Sequence, residues 1–256
     1  MNKAMFSAIA ALTFLTASAA QAVTIDYRFA APTDGSGKTS ILAGNQNVYI
    51  EDFEGPNGTG GQTLSQSYLN ITTVSGGGFG IAQGNLANVY AAPANDTTHF
   101  AYGPAQNSGS NSAEVNFNYA GLLGNLATEP GQRASLNYFG LYYGSIDTFN
   151  DVIFYNADDE IITTITGAQL IRDFNGQSGN TQADSSNIYV NLYFDPAEQF
   201  TSFSFRTSSQ AFEVDNLVVG YQVDMPPTTD VPEPASLALL GLGFAGLGFA
   251  RRRSRK

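Results

Sequence analysis

Between Val23 and Pro227 the side chains repeat with a period of two, and no stretch repeats at helical spacing. Val115, Phe117 and Tyr119 alternate with Glu114, Asn116 and Asn118, while Ile188, Val190, Leu192 and Phe194 alternate with Tyr189, Asn191 and Tyr193. Successive side chains of a strand point to opposite faces, so these patterns predict strands with one face buried. Phe203 and Phe205, flanked by Ser202 and Ser204, repeat the pattern. The near-continuous apolar runs Tyr138 to Tyr143 and Val152 to Tyr155 predict strands covered on both faces. Turn chemistry separates the runs at Gly76-Gly77-Gly78, Gly103-Pro104, Asn125, Pro130-Gly131, Asp158-Asp159 and Asn175-Gly176. Many short strands without interleaved helices predict an all-β, antiparallel β-sandwich or jelly roll. Residues 33–61, rich in Gly, Asn, Ser and Thr, read as a loose loop or a sheet edge.

Both ends of the chain read as addresses. Lys3, the apolar run Ala4 to Ala17 and the small residues Ala20 and Ala22 around Gln21 form a secretory signal helix cut after Ala22, so residues 1–22 are a signal peptide. The expected domain covers 23–224, with a proline-stiffened linker at 225–230. Residues 231–256 carry Pro232-Glu233-Pro234, a 16-residue apolar helix at 235–250 and a basic tail at 251–256. At about 1.5 Å per residue that helix reaches about 24 Å, short of a hydrocarbon core of roughly 30 Å. Arg and Lys beyond it stay on the cytoplasmic side, which puts everything upstream outside the cell.

This tail resembles the PEP-CTERM sorting signal of bacterial surface proteins. The resemblance implies transient insertion of the C-terminal helix in the inner membrane, cleavage near the motif by an exosortase, and delivery to the cell surface, outer envelope or biofilm matrix. An exopolysaccharide is the partner it implies. The segments NDTTHFAYG, YFGLYYGSIDTFNDVIFYN and AFEVDNLVVG are similar to a PEP-CTERM subgroup with a β-sandwich body, which supports the fold and implies no chemistry.

Charge narrows the partners further. Residues 23–231 hold five basic and 21 acidic side chains, a net of −16. Phosphate backbones are bound chiefly by Lys and Arg, so nucleic acid is excluded as a partner. No Cys is present, so no disulfide framework supports the fold.

The last strand resembles that of carbohydrate-binding jelly rolls, in which an Asp there and an acid near the first strand hold a structural calcium. The corresponding residues are Asp215 with Asp52 or Glu54; the alternative is that Asp215 and Asn216 form a bulge and the other acids are solvated. Calcium is the one cofactor this implies, and none is required elsewhere. Asp147, Asn150 and Asp151 read as an acidic turn in which Asp147 bonds its own backbone; the alternative is that these carboxylates line a cation or sugar site.

Catalysis is disfavoured by subtraction. A hydrolase triad has only His99 to draw on, and no G-x-S-x-G elbow is present. A glycosidase needs two carboxylates, but no pair stands out, and the chain has no Trp. The expectation is a noncatalytic protein. A lectin-like alternative would use Tyr142, Tyr143, Tyr189 and Tyr193, provided that they face outward.

Overall fold

A computed structural model describes residues 23–55 and 69–224. The signal helix with Ala20 and Ala22, the linker, and the sorting segment with Pro232, Glu233, Pro234 and the apolar helix at 235–250 lie outside the described residues. Twelve strands and two helices are seen among those described. The strands are β1 (Thr24–Asp26), β2 (Val48–Glu51), β3 (Asn70–Gly76), β4 (Gly80–Gln83), β5 (His99–Gly103), β6 (Ala113–Asn118), β7 (Arg133–Gly144), β8 (Asn150–Tyr155), β9 (Ile161–Thr166), β10 (Ile188–Tyr193), β11 (Ser202–Thr207) and β12 (Phe212–Asp224). The helices are α1 (Ala120–Leu126) and α2 (Gly167–Phe174).

The strands form two sheets, all pairs antiparallel, as the jelly-roll reading requires. One runs β1-β10-β7-β12-β5-β4, with β2 also paired to β12; the other runs β3-β6-β11-β8-β9. From β5 onward the chain changes sheet at every step except the β8–β9 hairpin. The core between the sheets is aromatic. Phe139, Phe154, Phe203, Phe205 and Phe212 are 0 % exposed, and the ring of Phe203 lies 4.9 Å from Phe139 and 5.2 Å from Phe117. Stacked and edge-on ring pairs add about 0.5–1.5 kcal/mol each beyond the area they bury, which compensates for the missing disulfides.

Alternation places side chains as expected in β6, where Ala113, Val115 and Phe117 are buried and Glu114, Asn116 and Asn118 half-buried. Strand β10 departs from the sequence reading. Tyr189 and Asn191 are buried as fully as Ile188, Val190 and Leu192, because the seven-stranded sheet is covered on its outer face too. The cover belongs to the segment expected to be a loose loop or a sheet edge; β2, within that segment, does pair on to the sheet, and the residues before it form the cover. Ser36, Lys38 and Ser40 are buried, and residues 34–40 lie across β7, β10 and β12.

The two helices are a second correction. Helix α1 has seven residues, two of them Gly, and only Leu122 and Leu123 bury, too little to show a helical period. Helix α2 does carry end signals: Thr166 Oγ1 accepts from the Gln169 amide at 3.1 Å, and Asn175 closes it in the left-handed region at φ 54°. Among the described residues no helix is long and apolar enough to cross a membrane.

Candidate cation and ligand sites

The tyrosines proposed for ligand binding lie mostly beneath the cover. Tyr142, Tyr143 and Tyr189 are 0 %, 1 % and 1 % exposed, so none of the three presents a ring to solvent; only Tyr193 is partly open, and its ring packs on Tyr138 at 5.2 Å. Tyr143 lies in the core between the sheets, while the hydroxyls of Tyr142 and Tyr189 bond to backbone carbonyls on the outer face. Tyr142 donates to the Ala94 carbonyl and Tyr189 to that of Asn216 at 3.0 Å. Tyr138, at 2.6 Å from Asn191 Oδ1, also meets Ser40 Oγ at 2.6 Å. Burial raises the pKa of each of these phenols, which keeps them neutral donors. The lectin-like reading through these rings is thereby corrected: aromatic side chains on a sheet face gain more from burial than from exposure, and here a second layer buries them.

Two residues that sequence reasoning passed over complete this layer. Lys38, 7 % exposed, donates to the Asn187 carbonyl and to Asp184 at 3.0 Å, with its ammonium 5.6 Å from the Tyr142 ring centroid. Asn187 receives the amides of Ala94 and Ser145 on Oδ1 and donates to the carbonyls of Asn180 and Ala183. Asn216 Nδ2 reaches Ser36 Oγ at 2.7 Å and the Lys38 carbonyl at 2.9 Å from a left-handed backbone at φ 45°. The expected bulge is therefore present, between Asp215 and Val218.

Of the acids assigned to calcium, Glu54 is engaged elsewhere, while Asp52 stays close enough for its charge to act on Asp215. The first strand, β1, pairs with β10, but β2 pairs with β12, from Leu217 opposite Glu51, and so brings the residues after β2 beside the last strand. Glu54, however, is held by His99, whose Nδ1 is 2.9 Å from Oε2 and whose amide donates to Oε1. Asp52 is exposed and accepts from the Glu54 amide at 3.2 Å. Asp215 is 0 % exposed, and the carboxylate against it is Asp96, from the loop that leads into β5. Asp96 Oδ1 accepts from the Thr98 amide at 2.8 Å and its hydroxyl at 2.6 Å, while Asp96 Oδ2 and both oxygens of Asp215 take no hydrogen bond of normal geometry. Burial raises the pKa of Asp215 well above the carboxylate range, with the charges of Asp96 and Asp52 adding to it; burial likewise raises Asp96. Among the described residues no three His, Asp or Glu side chains gather closely enough to hold a metal by themselves. Glu54 is thus paired with His99 instead of with Asp215.

A cleft of about 540 Å³ opens beside β12, lined by residues 85–91, Ser145, Asp147 and Glu213. Glu213, 3 % exposed, accepts from the Ala91 amide at 3.0 Å and from Ser145 Oγ at 3.2 Å. Burial lifts its pKa to about 7, against the pull of those two donors. Asp147 sits on the same wall, and burial raises its pKa while Ser178 Oγ, donating at 2.9 Å, lowers it. Of the two sequence readings of Asp147, the side chain does not bond its own turn but reaches Ser178 on the cleft wall, and the turn closes through its backbone carbonyl to the Asn150 amide at 3.4 Å. The Asp158-Asp159 tip between β8 and β9 is solvated as expected, with Asn156 Oδ1 accepting the amides of Asp158 and Glu160.

Comparison with known proteins bears on the tail. Residues 230–255 match the PEP-CTERM protein-sorting motif, so the chain carries the signature of an exported, surface-sorted or extracellular protein. No curated protein matches the chain. A solved structure, the enzymatically active domain of tailspike protein 4 of bacteriophage CBA120, aligns over 61 % of this chain and 20 % of its own, at 12 % identity and a TM-score of 0.29. So slight a likeness carries no argument about fold or chemistry.

Proposed function

We propose that this chain is a noncatalytic surface or extracellular-matrix protein whose sandwich is delivered by exosortase cleavage at Pro232-Glu233-Pro234. The sorting-motif match at residues 230–255 is the observation that carries the reading. The physical sequence of events follows from the two ends. The leader opens translocation and is removed after Ala22; the apolar run at 235–250 then stops in the bilayer because Arg251, Arg252, Arg253, Arg255 and Lys256 resist crossing. The sandwich is left outside, joined through the prolines of residues 225–230 to a motif held near the membrane surface. A span of barely sufficient length suits a transient membrane stage better than a permanent anchor.

A noncatalytic role is favoured by what the inward-facing polar groups do. His99 is tied to Glu54, Glu213 is held by two donors, and the buried Tyr142 and Tyr189 hydroxyls donate to backbone carbonyls. An exopolysaccharide partner fits the polar outer face of the five-stranded sheet, where Glu114, Asn116, Asn118 and Tyr155 are half-buried and Asp151 pairs with Arg206 at 2.6 Å. Replacing Pro232, Glu233 and Pro234 by alanine tests the sorting step. The uncleaved chain is expected to accumulate in the inner membrane fraction, and undiminished release of a processed product would overturn the proposal.

A further inference from the structure

The cleft beside β12 has walls that the fold holds fixed and polar groups that the fold leaves unspent. One wall is the loop of residues 85–91, pinned at both ends: Asn85 Oδ1 accepts from the Ala92 amide at 2.8 Å, and the Ala91 amide donates to Glu213 Oε1 at 3.0 Å. Within the loop Leu86 and Tyr90 exchange amide-to-carbonyl bonds at 3.0 and 3.1 Å, and the Tyr90 ring packs on Tyr102 at 4.4 Å. The opposite wall is tied by the Gly179 amide to the Ile146 carbonyl at 2.9 Å and by Ser178 Oγ to Asp147 Oδ1 at 2.9 Å. The enclosed volume of about 540 Å³ lies within the range of about 300–1,000 Å³ usual for small-molecule sites. Asn88, Thr181 and Gln210 also line it, and their side chains bond to no other described residue.

The lining selects among ligand classes. An anion would meet Asp147 and Glu213 with no Lys, Arg or His among the lining residues to receive it. An apolar molecule would strip water from Asp, Asn and Gln side chains and return no hydrogen bond. A bare cation would find a free carboxylate oxygen only on Asp147, because both oxygens of Glu213 already accept from Ala91 and Ser145. A ring bearing several hydroxyls fits what is left, since each hydroxyl both donates and accepts, and carboxylate and amide groups offer two polar atoms in one plane. We infer that this cleft binds a neutral sugar residue, with Asp147, Asn88, Thr181 and Gln210 bonding its hydroxyls and Tyr90 packing against its ring.

Glu213 acts here as a positioning residue: from β12 it fixes the 85–91 wall through Ala91 and the floor through Ser145, so the site exists before the ligand arrives. The inference rests on the exopolysaccharide reading above and deepens it by naming a site and a sugar class. The turn between β7 and β8 gives Asp147 to this cleft and Thr148 to a second cavity of about 490 Å³, and the turn between β11 and β12 gives Gln210 to the first and Ser208 to the second. The second cavity also holds Glu114, Asp151 and Arg206 of the five-stranded sheet's outer face. A polymer lying along that face therefore reaches the cleft across two turns and can place one of its sugars there.

The test uses the processed chain purified from its host, titrated calorimetrically with neutral tetrasaccharides of glucose, galactose and mannose and with a glucuronic acid tetrasaccharide as the anionic control. At least one neutral probe is expected to bind saturably at one site per chain, and the anionic one not at all. Gln210→Ala, at an exposed position whose loss leaves the fold intact, should weaken binding about five-fold, and Asp147→Asn about ten-fold. Asp158→Asn on the solvated hairpin tip, which removes the same charge elsewhere, should leave affinity unchanged. Failure of every neutral probe to bind, or binding that survives Asp147→Asn and Gln210→Ala together, would overturn the inference. Undiminished binding of the host's exopolysaccharide by that double variant would overturn the cleft and leave the partner reading standing. Release of shorter saccharides from a bound probe, lost in the double variant, would support the cleft and overturn the noncatalytic reading.

Discussion

Replacing Glu213 by Gln should turn a pH-sensitive protein into a less sensitive one. Burial raises this carboxyl from an ordinary 4.5 to about 7. In that interval the folded chain holds a proton that the unfolded chain has released, so stability falls as pH rises from about 4.5 to about 7 and levels off above. At about 1.36 kcal/mol per pH unit, the penalty at pH 8 comes to about 3 kcal/mol. The glutamine side chain of the Glu213→Gln variant keeps the shape and stays neutral, with its Oε1 accepting from the Ala91 amide and its Nε2 donating to Ser145 Oγ, which can turn to accept. The charge of Asp147 on the same wall persists in both proteins and cancels in the comparison to first order. Urea unfolding in EDTA at pH 5, 6.5 and 8 measures the difference. The variant should equal wild type at pH 5 within about 1 kcal/mol and exceed it by about 2–3 kcal/mol at pH 8. Parallel pH profiles for the two proteins would refute the reasoning, because they would mean that Glu213 ionises in the folded state at its ordinary value.

Other consequences follow from the packing. Phe203→Ala, at the meeting point of the two sheets, should cost roughly 3–5 kcal/mol in urea unfolding. Asn216→Gly keeps the left-handed backbone but strips the bonds to Ser36 and Lys38; it should cost about 2–4 kcal/mol and expose residues 34–44 to limited proteolysis first. Tyr189→Phe should lower stability by about 1 kcal/mol in urea unfolding through the lost bond to the Asn216 carbonyl.

The alternation in β6 and the apolar runs in β7 and β8 were readable because a single rule, one face or both faces buried, governs them. Strand β10 misled because Tyr189 and Asn191 are amphipathic: beneath a polar cover they bury as completely as leucine, and local pattern carries no record of a layer formed by residues far away in sequence. The same applies to residues 33–61, whose polar composition reads as a loop although Ser36, Lys38 and Ser40 are interior. Helix α2 had legible ends in Thr166 and Asn175-Gly176, yet its eight residues are too few for the helical period to stand out from the strands around it. Around Asp215 the sequence reading expected the first and last strands to be neighbours, whereas β1 pairs with β10 and it is β2 that lies beside β12. Asp96 was not legible there: its place is set by the Asp96–Thr98 turn and the bridge to Ser36, and the diversion of Glu54 to His99 depends on a long-range approach across 45 residues.

The account rests on an exported body trimmed at both ends, and the intact mass of the protein recovered from its host's envelope and medium tests that directly. The predicted product begins at Val23 and ends near the Pro232-Glu233-Pro234 motif, without the apolar run and the basic tail. Extracellular material that retains residues 235–256, or a body recovered only from the cytosol with its leader intact, would contradict it.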